Sequence, residues 1–104
     1  MSREPLTESE LTAALADLPD WRVVDGELTA TFKTARENVP SLYAAVAAVE
    51  DAADHHARIT ILYGTITFAL TTHDADDAIT AKDVETATRI DALAARHEAI
   101  AQPE

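Results

Sequence analysis

Three histidines flank one predicted β-hairpin and are the side chains of this chain best suited to acid and base chemistry. His55 and His56 precede its first strand, and His73 follows its second. An imidazole has an ordinary pKa near 6.5, so it can donate or accept a proton close to neutral pH. The sequence contains no cysteine, which excludes a thiol nucleophile, a redox disulfide and a thiolate metal site. The histidines therefore suggest proton transfer.

Acidic residues stand near all three histidines. One of them, Asp83, falls at the N3 position of a predicted helix, where it either supports the site or simply caps Thr80. Nearby carboxylates raise the pKa of an imidazole, although solvated loops often have the same composition. The other acidic neighbours are Asp54, Asp74, Asp76 and Asp77.

A zinc site made by His55, His56, His73 and an aspartate is an alternative to acid and base chemistry. Adjacent residues such as His55 and His56 point to opposite sides of an extended chain, so they converge poorly on one ion. The sequence has neither an HExxH motif nor two histidines four residues apart. These features favour acid and base roles over metal binding.

The hairpin is predicted by strict alternation of apolar and polar residues over positions 57–63 and 65–72. A two-residue turn at Gly64-Thr65 pairs residues whose numbers sum to 129. Extended by a few residues, this register places His56 opposite His73, with Cβ atoms about 4.5–5.5 Å apart. Both side chains would then lie on the polar face of the hairpin, away from the core.

Helices and a second hairpin surround these strands. The capping box at positions 7–10 begins a helix that Pro19 ends. Asp25-Gly26 is typical of a type I′ turn and predicts a hairpin between 21–24 and 28–32. The order predicts an α+β fold, α-β-β-α-β-β-α, with three helices covering one face of a four-stranded antiparallel sheet. The two further helices are predicted over 38–53 and from Thr80.

Composition limits the partners that the chain can have. Its 104 residues fit one domain. A formal net charge of −11 would repel a phosphate backbone, so we expect no direct binding of nucleic acid. Neither a membrane span nor a secretory signal is predicted, because the chain has no sufficiently long apolar run. We expect a cytoplasmic protein.

A spaced set of residues carries a resemblance to a known family. It consists of an acidic residue, two adjacent histidines four residues later, an aromatic residue, another histidine and an aspartate. The positions are Asp51, His55, His56, Tyr63, His73 and Asp83. This pattern resembles that of the pterin-4a-carbinolamine dehydratase family. The resemblance extends upstream through Trp21 and Gly26 and covers residues 6–93, and the family fold has the same order of elements.

The resemblance implies the dehydration of 4a-hydroxytetrahydropterin to the quinonoid dihydropterin, a step in the recycling of tetrahydrobiopterin-type cofactors. The pterin is then the substrate, and neither a cofactor nor a metal is needed. It also implies a single dehydratase-like domain over 1–104 with its core at about 6–97. Its implied catalytic residues are His55, His56, His73 and Asp83, and its implied substrate-binding residues are Asp51, Asp54, Thr71 and Thr72. We expect His56 and His73 to share the acid and base roles, and His55 to bind or assist.

Departures from the family pattern bear on activity. Ala57 stands where the family usually has proline, and without that φ constraint the neighbouring imidazoles are expected to be less well preorganised. Ile59 and Ala78 also differ from the usual residues. The alternative function is a non-catalytic interaction or assembly module on the same fold, but the retention of all three histidines favours the enzyme. In both cases the alanine-rich helices and strand edges predict a homodimer or homotetramer.

Overall fold

Three helices lie against one face of an antiparallel sheet in the computed structural model, which describes residues 4–102. This arrangement confirms the predicted α+β class and the order of the elements, and it adds a fifth strand. The helices are α1 (Glu8–Ala16), α2 (Val39–Ala53) and α3 (Ala81–Arg96). The strands are β1 (Arg22–Val24), β2 (Glu27–Lys33), β3 (Arg58–Leu62), β4 (Thr65–Leu70) and β5 (Ile100–Ala101). Short 3-10 helices span Arg36–Asn38 and His73–Ala75.

The sheet has the strand order β1-β2-β4-β3. Strand β5 pairs with the end of β2, through Phe32 and Ala101, on the edge that β1 leaves uncovered. Two residues at a chain end carry no periodic signal, and for this reason the sequence predicts only four strands. Strand β3 is an outer strand of the sheet.

Local signals place the helix starts and the first hairpin as predicted. Capping boxes are present at Thr7 with Glu10 and at Thr80 with Asp83. In the first hairpin Val23 pairs with Leu28, the predicted register. Side chains from α2, α3, β2 and β4 then form the core between the helices and the sheet. Its largest fully buried apolar members are Leu28, Val39, Leu42, Val46, Ile66, Phe68, Leu70 and Ile90.

The register of the second hairpin differs from the prediction. Ile61 pairs with Ile66 and Leu62 with Thr65, so partner numbers sum to 127 and the turn is Tyr63-Gly64. Tyr63 takes the left-handed φ of 54° that this turn needs. A Cβ at Gly64 would overlap the carbonyl oxygen of Thr34, so a close backbone approach requires the glycine. Because the shift is two residues, each side chain keeps its predicted face.

The predicted pairing of His56 with His73 is wrong. The β3–β4 ladder ends where Arg58 pairs with Ala69, so neither histidine belongs to it. His56 lies in the loop between α2 and β3, and His73 begins a 3-10 helix after β4. The alternation of side-chain faces along the strands therefore does not determine the direction of these two imidazoles. Within residues 4–102, no helix is long and apolar enough to cross a membrane.

Candidate active site

The two adjacent histidines follow the end of helix α2 at Ala53 and differ in burial. Asp54 takes the left-handed conformation, with φ 52°, and the N–H of His55 donates to the carbonyl oxygen of Glu50 at 3.0 Å. The chain reverses at this point, as it does at many helix ends. The residue His55 is only 6% exposed, whereas the His56 side chain is 55% exposed. The two imidazoles therefore have different surroundings.

His55 is bound to a fully buried carboxylate. Its Nε2 lies 2.6 Å from Oδ1 of Asp83, which is 0% exposed. The other oxygen, Oδ2, accepts from the hydroxyl of Thr72 and from the backbone N–H of Thr80, both at 2.8 Å. A carboxylate can only accept hydrogen bonds, so Nε2 of His55 carries the proton. Nδ1 is then the ring nitrogen that remains for a bound molecule.

Two threonine hydroxyls form a chain of hydrogen bonds that ends at the Asp83 carboxylate. Thr72 and Thr80 have Oγ1 atoms 2.6 Å apart. Thr72 has a single hydroxyl proton, which it donates to Asp83, so Thr80 must donate to Thr72. The Thr80 oxygen in turn accepts from the N–H of Lys82 at 3.2 Å. Asp83 thus accepts the Thr80 N–H, as the predicted cap does, and also accepts a hydrogen bond from His55.

A cavity of about 280 Å³ lies in front of His55. It is lined mainly by polar side chains from the α2–β3 loop, the segment after β4 and the start of α3. The lining residues are Asp54, His55, His56, Thr71, Thr72, His73, Asp74 and Lys82. Two predicted site residues lie outside this lining. Asp83 is hydrogen-bonded to His55, and Asp51 is hydrogen-bonded to His56. Lys82 was missed, because a lysine in the first turn of a helix carries no signal that it faces a cavity.

His56 and His73 lie at the solvent-exposed part of this cavity. The Nε2 of His56 is 3.0 Å from Oδ1 of Asp51, and this hydrogen bond is the main cause that raises the pKa of His56 above its ordinary value. Desolvation opposes this increase, and the charges of neighbouring carboxylates add to it. His73 has a 95% exposed side chain, and its Nδ1 lies 3.3 Å from Asp77. Both imidazoles are accessible to a bound molecule.

The arrangement combines one fixed imidazole with two exposed ones around a polar cavity. The fixed His55 suits the removal of a proton at a defined position, and an imidazole with a raised pKa suits proton donation. No group of three or more potential ligands among His, Cys, Asp and Glu that could hold a metal ion occurs in the part of the chain described here. The chemistry that these side chains offer is proton transfer.

Comparison with known proteins identifies relatives of this chain. The model of the family described as "Pterin 4 alpha carbinolamine dehydratase" matches residues 4–93. The chain belongs to this family. A Streptomyces coelicolor protein is 39% identical over 98 residues, which are 93% of this chain and 97% of its own. A Mycobacterium leprae protein is 42% identical over 94 residues, 85% of this chain and 94% of its own. Both relatives carry the name "Putative pterin-4-alpha-carbinolamine dehydratase".

A solved structure supports the fold assignment. The Brucella melitensis protein titled a transcriptional coactivator/pterin dehydratase superposes with a TM-score of 0.81 and 30% identity. The match covers 86% of this chain and 98% of the Brucella chain. Membership of the dehydratase family confirms the predicted resemblance and the predicted enzyme class, a hydro-lyase.

Proposed function

We propose that this protein dehydrates 4a-hydroxytetrahydropterin to quinonoid dihydropterin and water, as part of the recycling of a tetrahydropterin cofactor. The observation that carries the proposal is the His55–Asp83 pair, in which His55 lines a cavity together with two further histidines. Family membership supports the substrate class. The sequence-based expectation gave the acid and base roles to His56 and His73, whereas the geometry favours a central role for His55.

Loss of water from the carbinolamine requires two proton transfers. The C4a–O bond breaks as a proton reaches the leaving hydroxyl, and the N5–H bond gives its electron pair to a new C=N bond as its proton is removed. We assign Nδ1 of His55 as the base that takes the N5 proton, because Asp83 holds a ring proton on Nε2. His56 serves as the acid for the leaving hydroxyl, since its raised pKa increases its protonated fraction near pH 7.

The remaining lining residues supply contacts for the pterin ring. The carboxylate of Asp54 suits the amino and N3–H donors of a pterin, and Lys82 suits its carbonyl oxygen. Thr71 and His73 complete the proposed binding surface. The hydroxyl of Thr72 already donates to Asp83, so we assign Thr72 to the support of that carboxylate and not to substrate binding through its hydroxyl.

The test is the rate of dehydration of enzymatically generated 4a-hydroxytetrahydropterin, followed by ultraviolet absorbance. The wild-type protein should accelerate the reaction, and His56→Ala should lower the catalysed rate by about 10²-fold. His97→Asn is the matched control, because His97 caps the far end of α3 and lies outside the cavity lining. Intact protein that gives no acceleration would rule out the dehydratase proposal and favour an interaction module.

We also propose that the protein is a homo-oligomer that associates through β3. This strand has β4 on one side and no strand partner on the other among residues 4–102. At its end the side chains of Leu62 and Tyr63 are both 76% exposed, an arrangement that favours pairing with another strand edge. Light scattering at micromolar concentration should show a dimer or tetramer. Leu62→Lys should shift it toward the monomer, and a strictly monomeric wild-type protein would contradict the proposal.

A further inference from the structure

Glu50 is a buried carboxylate that the proposed reaction does not use. It lies in the last turn of α2 and is only 5% exposed. A carboxylate in such a position is unfavourable unless hydrogen bonds compensate for the lost water. Its Oε2 accepts the backbone N–H of Ala57 at 2.7 Å, a short charge-assisted hydrogen bond. A glutamate on a helix is usually exposed, so its burial here needs an explanation.

Glu50 accepts hydrogen bonds from the two residues on either side of His56. Its backbone carbonyl oxygen accepts the N–H of His55, and its side chain accepts the N–H of Ala57. The residue between them is His56, whose own side chain is hydrogen-bonded to the exposed Asp51. One residue of α2 therefore fixes the backbone on both sides of His56. Ala57 can take part because, unlike a proline, it has an N–H to donate.

We propose that Glu50 is a positioning residue that fixes the loop from His55 to Ala57 and so places both imidazoles at the cavity. The inference rests on the proposed function for its catalytic consequence, but the loop restraint can be measured without any substrate. Ala57 occupies a position at which the sequence predicts a loss of preorganisation. The hydrogen bond from the Ala57 N–H to the Glu50 side chain restrains the backbone there, in place of the φ constraint that a proline would provide.

The charge of Glu50 gives a readout that a purely structural residue would not. Glu50 and His56 both line a groove along β3, and the Glu50 charge helps to raise the pKa of His56. Asp51 and Asp54 act on His56 in the same direction. The groups facing His56 across the cavity from other segments are His73, Asp74 and Lys82. Removing only the Glu50 charge should therefore lower the pKa of His56 while these other groups remain in place.

The experiment compares Glu50→Ala, which removes the acceptor, with Glu50→Gln, which keeps an acceptor oxygen and removes the charge. Amide hydrogen exchange measured by NMR should be at least about tenfold faster for Ala57 in Glu50→Ala and nearly unchanged in Glu50→Gln. The His56 titration should move to lower pH in Glu50→Gln. In the dehydration assay kcat should fall by about tenfold in Glu50→Ala and by less than about threefold in Glu50→Gln. Glu85→Ala, at an exposed position on α3, should leave all three measurements unchanged.

The positioning role would be overturned by a folded Glu50→Ala variant whose Ala57 exchange and kcat equal those of Glu85→Ala. If Glu50→Ala does not fold, Glu50→Asp takes its place, because the shorter side chain keeps the charge and withdraws the acceptor from the Ala57 N–H. A folded Glu50→Asp variant whose Ala57 exchange and kcat equal those of Glu85→Ala overturns the role. The failure of the proposed function would look different. An inactive wild-type protein would contradict the dehydratase proposal, whereas the exchange of the Ala57 amide would still decide whether Glu50 restrains the loop.

Discussion

The substitution Asp83→Asn should reverse the hydrogen bond that orients His55. The wild-type carboxylate accepts from Nε2 of His55, from the Thr72 hydroxyl and from the Thr80 N–H. An asparagine amide has one acceptor oxygen, which the two threonine donors occupy, so its NH₂ group faces Nε2. Two N–H groups cannot bond to each other. The imidazole must therefore carry its proton on Nδ1, where it presents a donor to the cavity and can no longer act as a base there.

The expected loss of activity is large compared with the loss of stability. Without a general base kcat should fall by about 10²–10⁴-fold, which corresponds to about 3–5 kcal/mol of activation free energy. The two threonine hydrogen bonds persist with a neutral acceptor at roughly half their strength, so the free energy of unfolding should fall by about 1–3 kcal/mol. A domain of ordinary stability stays folded after such a loss.

The assay combines the dehydration rate with the nitrogen chemical shifts of His55. In Asp83→Asn the shifts should report protonation at Nδ1 instead of Nε2, while the circular dichroism spectrum stays that of a folded protein. Thr88→Ala is a control, because its exposed hydroxyl also bonds within α3 but lies away from the cavity lining. A folded Asp83→Asn protein with kcat within about threefold of wild type would refute the assignment of His55 as the base.

Other substitutions test the electrostatics and the packing around the site. Asp51→Asn removes the main cause of the raised pKa of His56, so NMR should show that the imidazole titrates at lower pH. The stabilisation of the folded protein by the His56–Asp51 pair is present below pH 6.5 and is lost as the pH rises through the raised pKa of His56. In denaturation measurements the variant should lose this pH dependence of the free energy of unfolding. Gly64→Ala forces a Cβ into a backbone carbonyl and should cost about 1–3 kcal/mol in urea unfolding. Trp21→Phe removes the indole donor to the half-buried Asp91 carboxylate, so the pKa of Asp91, already raised by burial, should rise further. The same change should lower the free energy of unfolding by about 1–3 kcal/mol in a thermal melt.

The fold is largely predictable because its signals are local. The capping boxes at Thr7 and Thr80 fix two helix starts, and Asp25-Gly26 fixes the first hairpin. The second hairpin contains one glycine, and two neighbouring turns that include Gly64 fit the alternation equally well. The structure has the turn at Tyr63-Gly64, and there Gly64 closely approaches Thr34, a tertiary contact that no local pattern reveals.

The site is predictable in its residue types but not in its geometry. The pattern selects the histidines and Asp83, yet the pairing of His56 with His73 required a ladder that ends before either residue. The burial of His55 depends on the left-handed Asp54 at the end of α2, which the sequence analysis does not identify. Glu50 was missed because a glutamate on a helix is normally solvated, and only the three-dimensional structure shows its contact with Ala57.

The most direct test of the account compares wild-type protein with His55→Gln in a single-turnover dehydration of 4a-hydroxytetrahydropterin. The glutamine side chain can still donate to Asp83, but it cannot take a proton from N5. We predict that the wild-type protein accelerates the reaction and that His55→Gln loses about 10²-fold or more of that acceleration while remaining folded. Equal rates in the two proteins would contradict the central role of His55.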